Sequence, residues 1–254
     1  MTMERLPDFD RPIAHRGLHD KSKGVIENSA SAFAAALAAG FAMECDVQLT
    51  GDGKPMVFHD DSLERLTGHK GMVSTLSAGQ FGRIPLIDSA AGDCPQRFEA
   101  LLEQVAGRQL LVVEVKHQHS DLGQQEIARA VAGALAHYAG PVVVESFDPR
   151  LLTLIRAAGY RGHLGIILMR DSGRFGGPKG FLAEAYLRHM LHFPMTRFSF
   201  MSCMRTDLDL PMVRLLRALG LPVTAWTVRS AEEAGQALKR ADQIVFEGFG
   251  PKIG

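Results

Sequence analysis

The chain is 254 residues long, 46% hydrophobic and 22% charged, which is enough to bury the core of one large α/β domain. Its 28 basic and 28 acidic residues balance, so composition gives no reason to expect a nucleic-acid partner or an anionic membrane surface. There are three cysteines without zinc-type spacing, no visible secretory signal and no apolar run long enough to span a membrane. These features predict a cytoplasmic protein with reduced thiols and no stable membrane anchor.

The first predicted strand covers residues 12–17 and ends in polar side chains. It brings His15 and Arg16 to its carboxyl end. After a polar loop, Ser29 can cap an alanine-rich helix, and Gly40 can end that helix in a left-handed conformation. The chain therefore opens with a β/α unit.

A β-hairpin is predicted next, and it carries two acids on one face. Glu44 and Asp46 lie two apart in the apolar strand 41–50, so their side chains point the same way. Two buried carboxylates are costly unless something neutralises them, and a divalent cation is the obvious candidate. The turn that follows is too short for a parallel crossover. The return at residues 55–60 is therefore antiparallel and brings His59 back to the level of the acids.

The rest of the chain alternates predicted strands with predicted helices. Residues 61–97 are rich in glycine and are expected to form a small irregular insertion or lid. Strands are predicted at 110–116, 141–147, 163–168, 197–200, 222–228 and 243–247. Helices are predicted at 98–105, 128–138, 149–158, 182–191, 211–219 and 231–239, and a glycine-rich basic loop at 170–180.

The eight main strands, counted without the antiparallel return, predict a (β/α)₈ TIM barrel. Near-continuous apolar strands with intervening helices indicate a parallel sheet that is covered on both sides. Eight such units fit a closed barrel with an extra antiparallel β-hairpin and a small insertion after it, in a single domain over residues 1–254. A doubly wound open sheet is the alternative, but the first loop lacks the glycine-rich dinucleotide fingerprint.

Charged residues end several of the apolar runs, where barrel enzymes carry their catalytic groups. They are His15, Arg16, Glu44, Asp46, Glu114, Lys116, Glu145 and Glu247. The strand of Glu114 is expected beside the strand of Glu44 and Asp46, because the hairpin and the insertion extend outward from the barrel. Three converging carboxylates would form a site for one divalent cation, Mg²⁺ or Ca²⁺.

Two histidines and an arginine add proton-transfer and phosphate-binding chemistry. His15 and His59 suit an acid/base pair, since unperturbed imidazole titrates near neutral pH. Arg16 offers the planar fork that binds phosphate. Each residue alone has an ordinary structural interpretation, as a satisfied histidine or a member of a buried ion network. Their joint placement at strand ends favours phosphoryl transfer or phosphodiester hydrolysis.

These residues resemble the glycerophosphodiester phosphodiesterase family. The matching motifs follow the family order over most of the chain, and they are His15-Arg16-Gly17, Glu27-Asn28-Ser29, Glu44-Cys45-Asp46-Val47, Thr50-Gly51-Asp52-Gly53, Val57-Phe58-His59-Asp60, Glu114-Val115-Lys116, Ser146-Phe147-Asp148 and Trp226-Thr227-Val228. The resemblance implies a phosphodiesterase-type TIM barrel. Its small-molecule substrate would be a glycerophosphodiester, such as glycerophosphocholine or glycerophosphoethanolamine, cleaved to sn-glycerol 3-phosphate and an alcohol. The resemblance does not fix the oligomeric state, which is expected to be a monomer or a homodimer.

The resemblance also implies roles for individual residues. The expected metal ligands are Glu44, Asp46 and Glu114. The expected acid/base pair is His15 and His59. The expected substrate contacts are Arg16, Asn28, Lys116 and Trp226. In the expected mechanism a neighbouring glycerol hydroxyl attacks phosphorus and water then opens the cyclic phosphate, with direct attack by water as the alternative.

The chain departs from the family pattern in three places. Ile26 stands where proline is usual, Arg229 replaces an asparagine, and Phe246-Glu247 replaces a Thr-Asp pair. None of these departures is expected to touch the metal or histidine positions. Arg229 is expected to add positive charge near the barrel mouth and so to alter substrate preference.

Three other functions remain as alternatives. A lysophospholipase D-type lipid phosphodiesterase would need an apolar entrance, for which the insertion offers Leu63, Leu66, Phe81 and Leu86. A metal-independent phosphoinositide-type phospholipase C would not need all three acids. A non-catalytic phosphate- or carbohydrate-binding barrel is disfavoured by the complete set of acids and histidines.

Overall fold

The computed structural model describes residues 6, 9–170 and 180–253, and its eight parallel strands close into a barrel. A ninth strand, β3, is the antiparallel return of a hairpin. The strands are β1 (Ile13–Ala14), β2 (Ala42–Leu49), β3 (Pro55–Val57), β4 (Leu111–Val115), β5 (Val142–Ser146), β6 (His163–Leu168), β7 (Phe200–Met204), β8 (Val223–Val228) and β9 (Gln243–Phe246). The predicted TIM barrel with an extra hairpin is confirmed.

Strand β1 closes the barrel by pairing with β2 on one side and β9 on the other. Strand β2 also pairs with β4, as predicted from the outward hairpin, and places Asp46 opposite Glu114. All the barrel pairs are parallel. The carboxyl ends of the eight strands therefore meet at one rim, where the predicted site residues lie.

Most of the helices cover the outside of the barrel, and two short ones belong to the insertion at residues 61–97. In the described part of the chain the helices are α1 (Ala30–Ala39), α2 (Glu64–Thr67), α3 (Ala78–Phe81), α4 (Phe98–Val105), α5 (Asp121–Leu135), α6 (Pro149–Ala157), α7 (Phe181–Arg188), α8 (Phe193–Thr196), α9 (Pro211–Ala218) and α10 (Ala231–Ala237). The Ser29 hydroxyl accepts a hydrogen bond from Ala32 N at 3.1 Å, so the predicted cap of α1 is confirmed. Within these described residues, no helix combines the length and the hydropathy that crossing a membrane would require.

Apolar side chains form one layer inside the barrel and another between the barrel and its helices. Strand β5 shows how the alternation of a strand feeds both layers. Val143 belongs to the same buried cluster as Phe200, inside the barrel, and Val144 belongs to the outer cluster that includes Ile127 of α5. The next inward position is Glu145. A polar layer therefore begins where the apolar interior ends, just below the rim.

The insertion at residues 61–97 is more ordered than its composition predicts. It carries α2 and α3 and an apolar cluster of its own. The side chains predicted to form an apolar entrance belong to that cluster and are each at most 8% exposed; they are Leu63, Leu66, Phe81 and Leu86. The predicted entrance is therefore wrong, because the segment uses these side chains as its own core.

Two predicted elements are displaced along the chain. Strand β7 begins where the predicted strand 197–200 ends, because Arg197 adopts a left-handed conformation (φ 46°) at the end of α8. Helix α5 begins well before the predicted helix 128–138, because the Ser120 hydroxyl accepts a hydrogen bond from Gly123 N at 3.0 Å and caps it. Residues 171–179 of the predicted basic loop lie outside the described residues.

Candidate active site

Three carboxylates meet at the rim of the barrel on neighbouring strands. Glu44 and Asp46 lie on β2, and Glu114 lies on β4 as the register partner of Asp46. One oxygen of each carboxylate lies within 4.8 Å of the others. The structure thus brings together the three residues that were expected to bind a metal.

The acid cluster fits a hard divalent cation. Glu44 is 3% and Asp46 1% exposed, and Glu44 Oε1 and Asp46 Oδ1 have no hydrogen-bond partner among the described residues. Burial, together with the charges of Asp46 and Glu114, raises the pKa of Glu44 well above its usual range. A cation would satisfy the orphaned oxygens and offset the repulsion, and an all-oxygen donor set suits Mg²⁺ or Ca²⁺.

Two cationic side chains lie against the same acids. Lys116 Nζ is 2.7 Å from Glu114 Oε1 and 3.4 Å from Asp46 Oδ1. Arg16 Nε lies 3.1 Å from Asp46 Oδ2, an ion pair without hydrogen-bond geometry. Burial alone would raise the pKa of Asp46, but the two cations outweigh it and hold that pKa well below its usual range. Asp46 therefore stays ionised at neutral pH.

The loop after β1 is shaped to bring Arg16 and Asn28 to the acid cluster. Both residues adopt positive φ angles, 54° and 57°, and Asn28 N donates to Arg16 O at 2.9 Å. Asn28 Nδ2 donates to Asp46 Oδ2 at 2.9 Å. Gly17 has a φ of 77°, and a Cβ there would lie 2.8 Å from Ala32, so only glycine fits. The motif residues of this loop are thus placed by its backbone conformation.

Each candidate acid/base histidine is held by a carboxylate. Glu247 Oε2 lies 2.6 Å from His15 Nδ1, and Asp60 Oδ1 lies 2.6 Å from His59 Nδ1. Because a carboxylate accepts, each Nδ1 donates, and each Nε2 has no hydrogen bond to a described residue. The Nε2 atom of His15 is 4.0 Å from Glu44 Oε2, beside the acid cluster. Burial lowers the pKa of His15, although the hydrogen bond to Glu247 opposes that shift.

One departure from the family pattern does reach a histidine position, contrary to expectation. Glu247 is the partner of His15, and Arg229 Nη2 lies 2.7 Å from Glu247 Oε1. The charge of Arg229 is therefore paired with Glu247, which weakens the expectation that it adds free positive charge at the mouth. The sequence signal for Glu247 was its position at the end of an apolar run. No sequence signal pointed to its pairing with His15, because that pairing depends on closure of the barrel.

Glu145 is a further acid for which the sequence suggested no role. It is 3% exposed, it lies on β5 as the register partner of Glu114, and its Oε2 atom has no hydrogen-bond partner among the described residues. Burial, with the charge of Glu114 adding to it, raises the pKa of Glu145 to about 8. Glu145 is therefore mostly protonated at neutral pH and differs from the three acids of the cluster.

Trp226 lies on β8 and forms part of the barrel interior. Its Nε1 atom donates to Ser202 O at 3.1 Å, which fixes the indole. The Phe147 ring meets it edge to face, with centroids 5.6 Å apart. The two rings together form an apolar wall, consistent with the pocket-wall position expected for Trp226.

Known proteins share this combination of sequence and fold. The model of the glycerophosphoryl diester phosphodiesterase family matches residues 15–246. YhdW of Bacillus subtilis (strain 168) is 25% identical over 229 residues, which are 88% of this chain and 88% of that protein. The glycerophosphodiester phosphodiesterase of Bacillus altitudinis is 31% identical over 150 residues, 56% of this chain and 60% of that one.

Solved structures share the fold over nearly the full length. A phosphodiesterase of Oleispira antarctica, solved in complex with the product sn-glycerol-3-phosphate, has a TM-score of 0.77 at 21% identity. The alignment covers 95% of this chain and 93% of that chain. The family match covers about nine-tenths of the chain, and it runs from the first candidate histidine, His15, to the end of β9. The chain therefore belongs to the glycerophosphoryl diester phosphodiesterase family, a family of enzymes.

Proposed function

We propose that the protein hydrolyses glycerophosphodiesters, such as glycerophosphocholine or glycerophosphoethanolamine, to sn-glycerol 3-phosphate and an alcohol. The observation that carries this proposal is the rim geometry, in which His15 and His59, each held by a carboxylate, accompany a buried cluster of three acids. Family membership supports the reaction class. The product bound to the Oleispira antarctica enzyme supports the choice of substrate.

One divalent cation, Mg²⁺ or Ca²⁺, would be held by Glu44, Asp46 and Glu114. When bound, such a cation polarises the phosphate and lowers the pKa of a nearby hydroxyl. The two orphaned buried oxygens support a cation at this position. Lys116, against Glu114 and Asp46, adds positive charge on the same side.

The two histidines would move the protons. The Nε2 atom of one ring accepts the proton of the attacking glycerol hydroxyl, and the Nε2 atom of the other donates a proton to the departing alcohol oxygen. This attack breaks the bond from phosphorus to the alcohol and forms a cyclic phosphate. Water then opens the ring with the proton roles reversed, which gives glycerol 3-phosphate. Glu247 and Asp60 hold both rings in the tautomer that this exchange requires.

The remaining site residues would bind and orient the substrate. Arg16 and Lys116 neutralise the phosphate oxygens, and Asn28 supports Asp46 through its amide. Trp226 forms an apolar wall beside the substrate. The side chains expected to form an apolar entrance, Leu63, Leu66, Phe81 and Leu86, are buried in the insertion's own cluster, which favours a short deacylated substrate over one with an acyl chain.

A two-substrate assay tests this proposal. The protein is incubated with glycerophosphocholine or with lysophosphatidylcholine, in EDTA or with added Mg²⁺ or Ca²⁺, and the phosphorylated product is identified. We expect glycerol 3-phosphate from glycerophosphocholine only when a cation is present. Preferred turnover of lysophosphatidylcholine would favour the lysophospholipase D-type lipid phosphodiesterase. Turnover in EDTA would favour the metal-independent phospholipase C. No turnover of either substrate with added cation would favour a binding barrel.

We also propose that the protein works in the cytoplasm. Cys45, Cys94 and Cys203 are all free thiols, and reducing compartments keep thiols in that state. Fractionation of the native host with an antibody against the chain tests the location, and recovery with secreted proteins would contradict it.

A further inference from the structure

Arg65 lies on α2 of the insertion and donates hydrogen bonds to two carboxylates that lie outside the insertion. Its Nη1 and Nη2 atoms lie 2.8 Å from Glu27 Oε2 and Oε1 respectively. Its Nε and Nη2 atoms lie 2.5 Å and 3.0 Å from Asp60 Oδ2 and Oδ1. One guanidinium therefore holds two carboxylates, each through two hydrogen bonds, and this bidentate geometry fixes their orientation in a way that a lysine ammonium would not.

Each of these two carboxylates also holds a residue of the candidate active site. Asp60 Oδ1, which accepts from Arg65, is the oxygen that lies 2.6 Å from His59 Nδ1. Glu27 Oε1, which accepts from Arg65, also accepts from Arg16 Nη1 at 2.6 Å. The same Nη2 atom of Arg65 donates to both of these shared oxygens. A continuous series of hydrogen bonds thus joins a candidate acid/base histidine to a candidate phosphate-binding arginine.

The two carboxylates are ionised at neutral pH. Burial alone would raise the pKa of Glu27, but the hydrogen bond from Arg65 and the charge of Arg16 outweigh it and lower that pKa to about 2. Burial of Asp60 is likewise outweighed by the hydrogen bonds from His59 and Arg65, which hold its pKa well below its usual range. Every hydrogen bond from Arg65 in this network is therefore assisted by charge on both partners.

The apolar cluster of the insertion anchors both sides of this network. Leu63, directly before α2, and Leu66, within it, are buried in that cluster on either side of Arg65 in the sequence. Ile26, directly before Glu27, is buried in the same cluster. The cluster therefore fastens the helix that carries Arg65 to the loop that carries Glu27, and it holds the guanidinium between its two partners.

We propose that Arg65 is a positioning residue for the reaction, an inference that rests on the proposed function. Through Asp60, Arg65 keeps the His59 ring oriented for proton transfer. Through Glu27, Arg65 keeps Arg16 directed at the phosphate. Because two ionised carboxylates converge on one nitrogen of Arg65, removal of the guanidinium would leave them to repel each other and to release the residues that they orient. The insertion thus contributes to catalysis by bringing this guanidinium to the site.

Nitrogen-15 spectra of the histidine-labelled full chain test the first of these effects without a catalytic readout. Recorded at alkaline pH, they report which nitrogen of each neutral imidazole carries the proton, and the His59 signals are those that His59→Asn removes. We expect His59 to carry its proton on Nδ1 in the wild type. In Arg65→Met the ring should shift toward the tautomer with the proton on Nε2. The same tautomer in both proteins would overturn the proposal.

Steady-state kinetics with glycerophosphocholine and a divalent cation test both effects. Arg65→Met should lower kcat by roughly 10- to 100-fold, since a small misplacement of a catalytic group can cost about 10²-fold, and it should also raise KM. Substitutions that act through a shared partner are not additive. The loss in kcat should therefore nearly disappear in an Asp60→Asn background, and the rise in KM should nearly disappear in a Glu27→Gln background.

Arg217→Met serves as the comparison variant. Arg217 is also paired with a carboxylate, with its Nη2 atom 2.8 Å from Asp242 Oδ1, and its side chain is 38% exposed against 46% for Arg65. Asp242 immediately precedes β9, so this pair lies at the amino ends of the strands, whereas the candidate active site lies at the carboxyl ends. Arg217→Met should keep the kcat, the KM and the His59 tautomer of the wild type.

Thermal melting verifies that each variant is folded, and Arg65→Gln replaces Arg65→Met if the latter is not. Equal losses in the Arg65 and Arg217 variants would overturn the proposal. So would the same fold-loss in kcat from Arg65→Met with and without Asp60→Asn, which would indicate that Arg65 only stabilises the insertion. Absence of turnover in the wild type would overturn the proposed function instead, and the tautomer measurement would then decide whether Arg65 orients His59.

Discussion

Glu247 Oε2 lies 2.6 Å from His15 Nδ1 across β9 and β1, the two strands whose pairing helps to close the barrel. The other oxygen of Glu247 is held by Arg229. Contact with His15 and with His19, whose Nε2 atom lies 3.8 Å from Glu247 Oε2, keeps the pKa of Glu247 well below its usual range, so Glu247 stays a carboxylate and accepts a hydrogen bond from the N–H of the His15 imidazole. Asp60 holds His59 with the same separation. The two candidate acid/base groups are therefore oriented in the same way by different parts of the chain.

Glu247→Gln should lower kcat by about 10-fold or more. This is part of the contribution of His15, because an acid/base residue contributes roughly 10²–10⁴-fold and Glu247 orients that ring. Because the hydrogen bond to Glu247 raises the pKa of His15, its loss should move the His15 limb of the kcat/KM profile to lower pH. A pH–rate series measures both effects. Glu233→Gln is the matched control, because Glu233 bonds to Arg229 N without contacting His15. An unchanged kcat and pH profile in Glu247→Gln would show that Glu247 does not position His15.

Cation binding should strengthen as pH rises. The pKa of Glu44 is raised by burial and by its acidic neighbours, so without a cation Glu44 holds a proton that the cation must displace. Affinity should therefore climb with pH until Glu44 ionises and then level off. Calorimetric titration with Mg²⁺ and Ca²⁺ over a range of pH measures this. Asp46→Asn should abolish binding, whereas Glu145→Gln, outside the three-acid cluster, should retain it. Equal affinity in wild type and Asp46→Asn would contradict the site.

Glu145 should make the fold less stable at alkaline pH. Its pKa is about 8 in the folded protein against 4.5 for an ordinary glutamate, so the folded state binds the extra proton between those values. Stability should fall as pH rises through this window, by up to about 1.4 kcal/mol per pH unit. Glu145→Gln keeps the shape and removes the charge, so it should exceed the wild type in stability near pH 9 and differ little near pH 5. Urea unfolding of both proteins in EDTA at the two pH values measures the difference in the free energy of unfolding. The same change with pH in both proteins would contradict the raised pKa of Glu145.

The barrel could be predicted because most of its strands are near-continuous apolar runs. Strand β7 is the exception: Phe200–Met204 includes Ser202 and Cys203 and no β-branched residue, so its position was predicted too early. The start of α5 was predicted too late, because its first turns are polar and only the Ser120 cap marks them. Local sequence specifies an element poorly where its side chains do not follow the element's usual pattern.

The acid cluster could be predicted because one hairpin fixes the relation of Glu44 and Asp46, and the neighbouring strand adds Glu114. The partner of His15 could not be predicted, because Glu247 is 232 positions away along the chain and reaches His15 only when the barrel closes. The burial of Leu63, Leu66, Phe81 and Leu86 in the insertion could not be predicted from the sequence either. Its apolar side chains have no regular period, so an exposed entrance and a small separate core would have the same sequence.

Release of glycerol 3-phosphate by His15→Asn and His59→Asn tests the account most directly. With glycerophosphocholine and a saturating divalent cation, the wild type should release glycerol 3-phosphate. Each variant should be slower by roughly 10²–10⁴-fold, because each loses the ring that moves a proton. Cation binding should be retained in both, since neither histidine belongs to the three-acid cluster. Near-wild-type release by both variants would contradict catalysis by the two histidines.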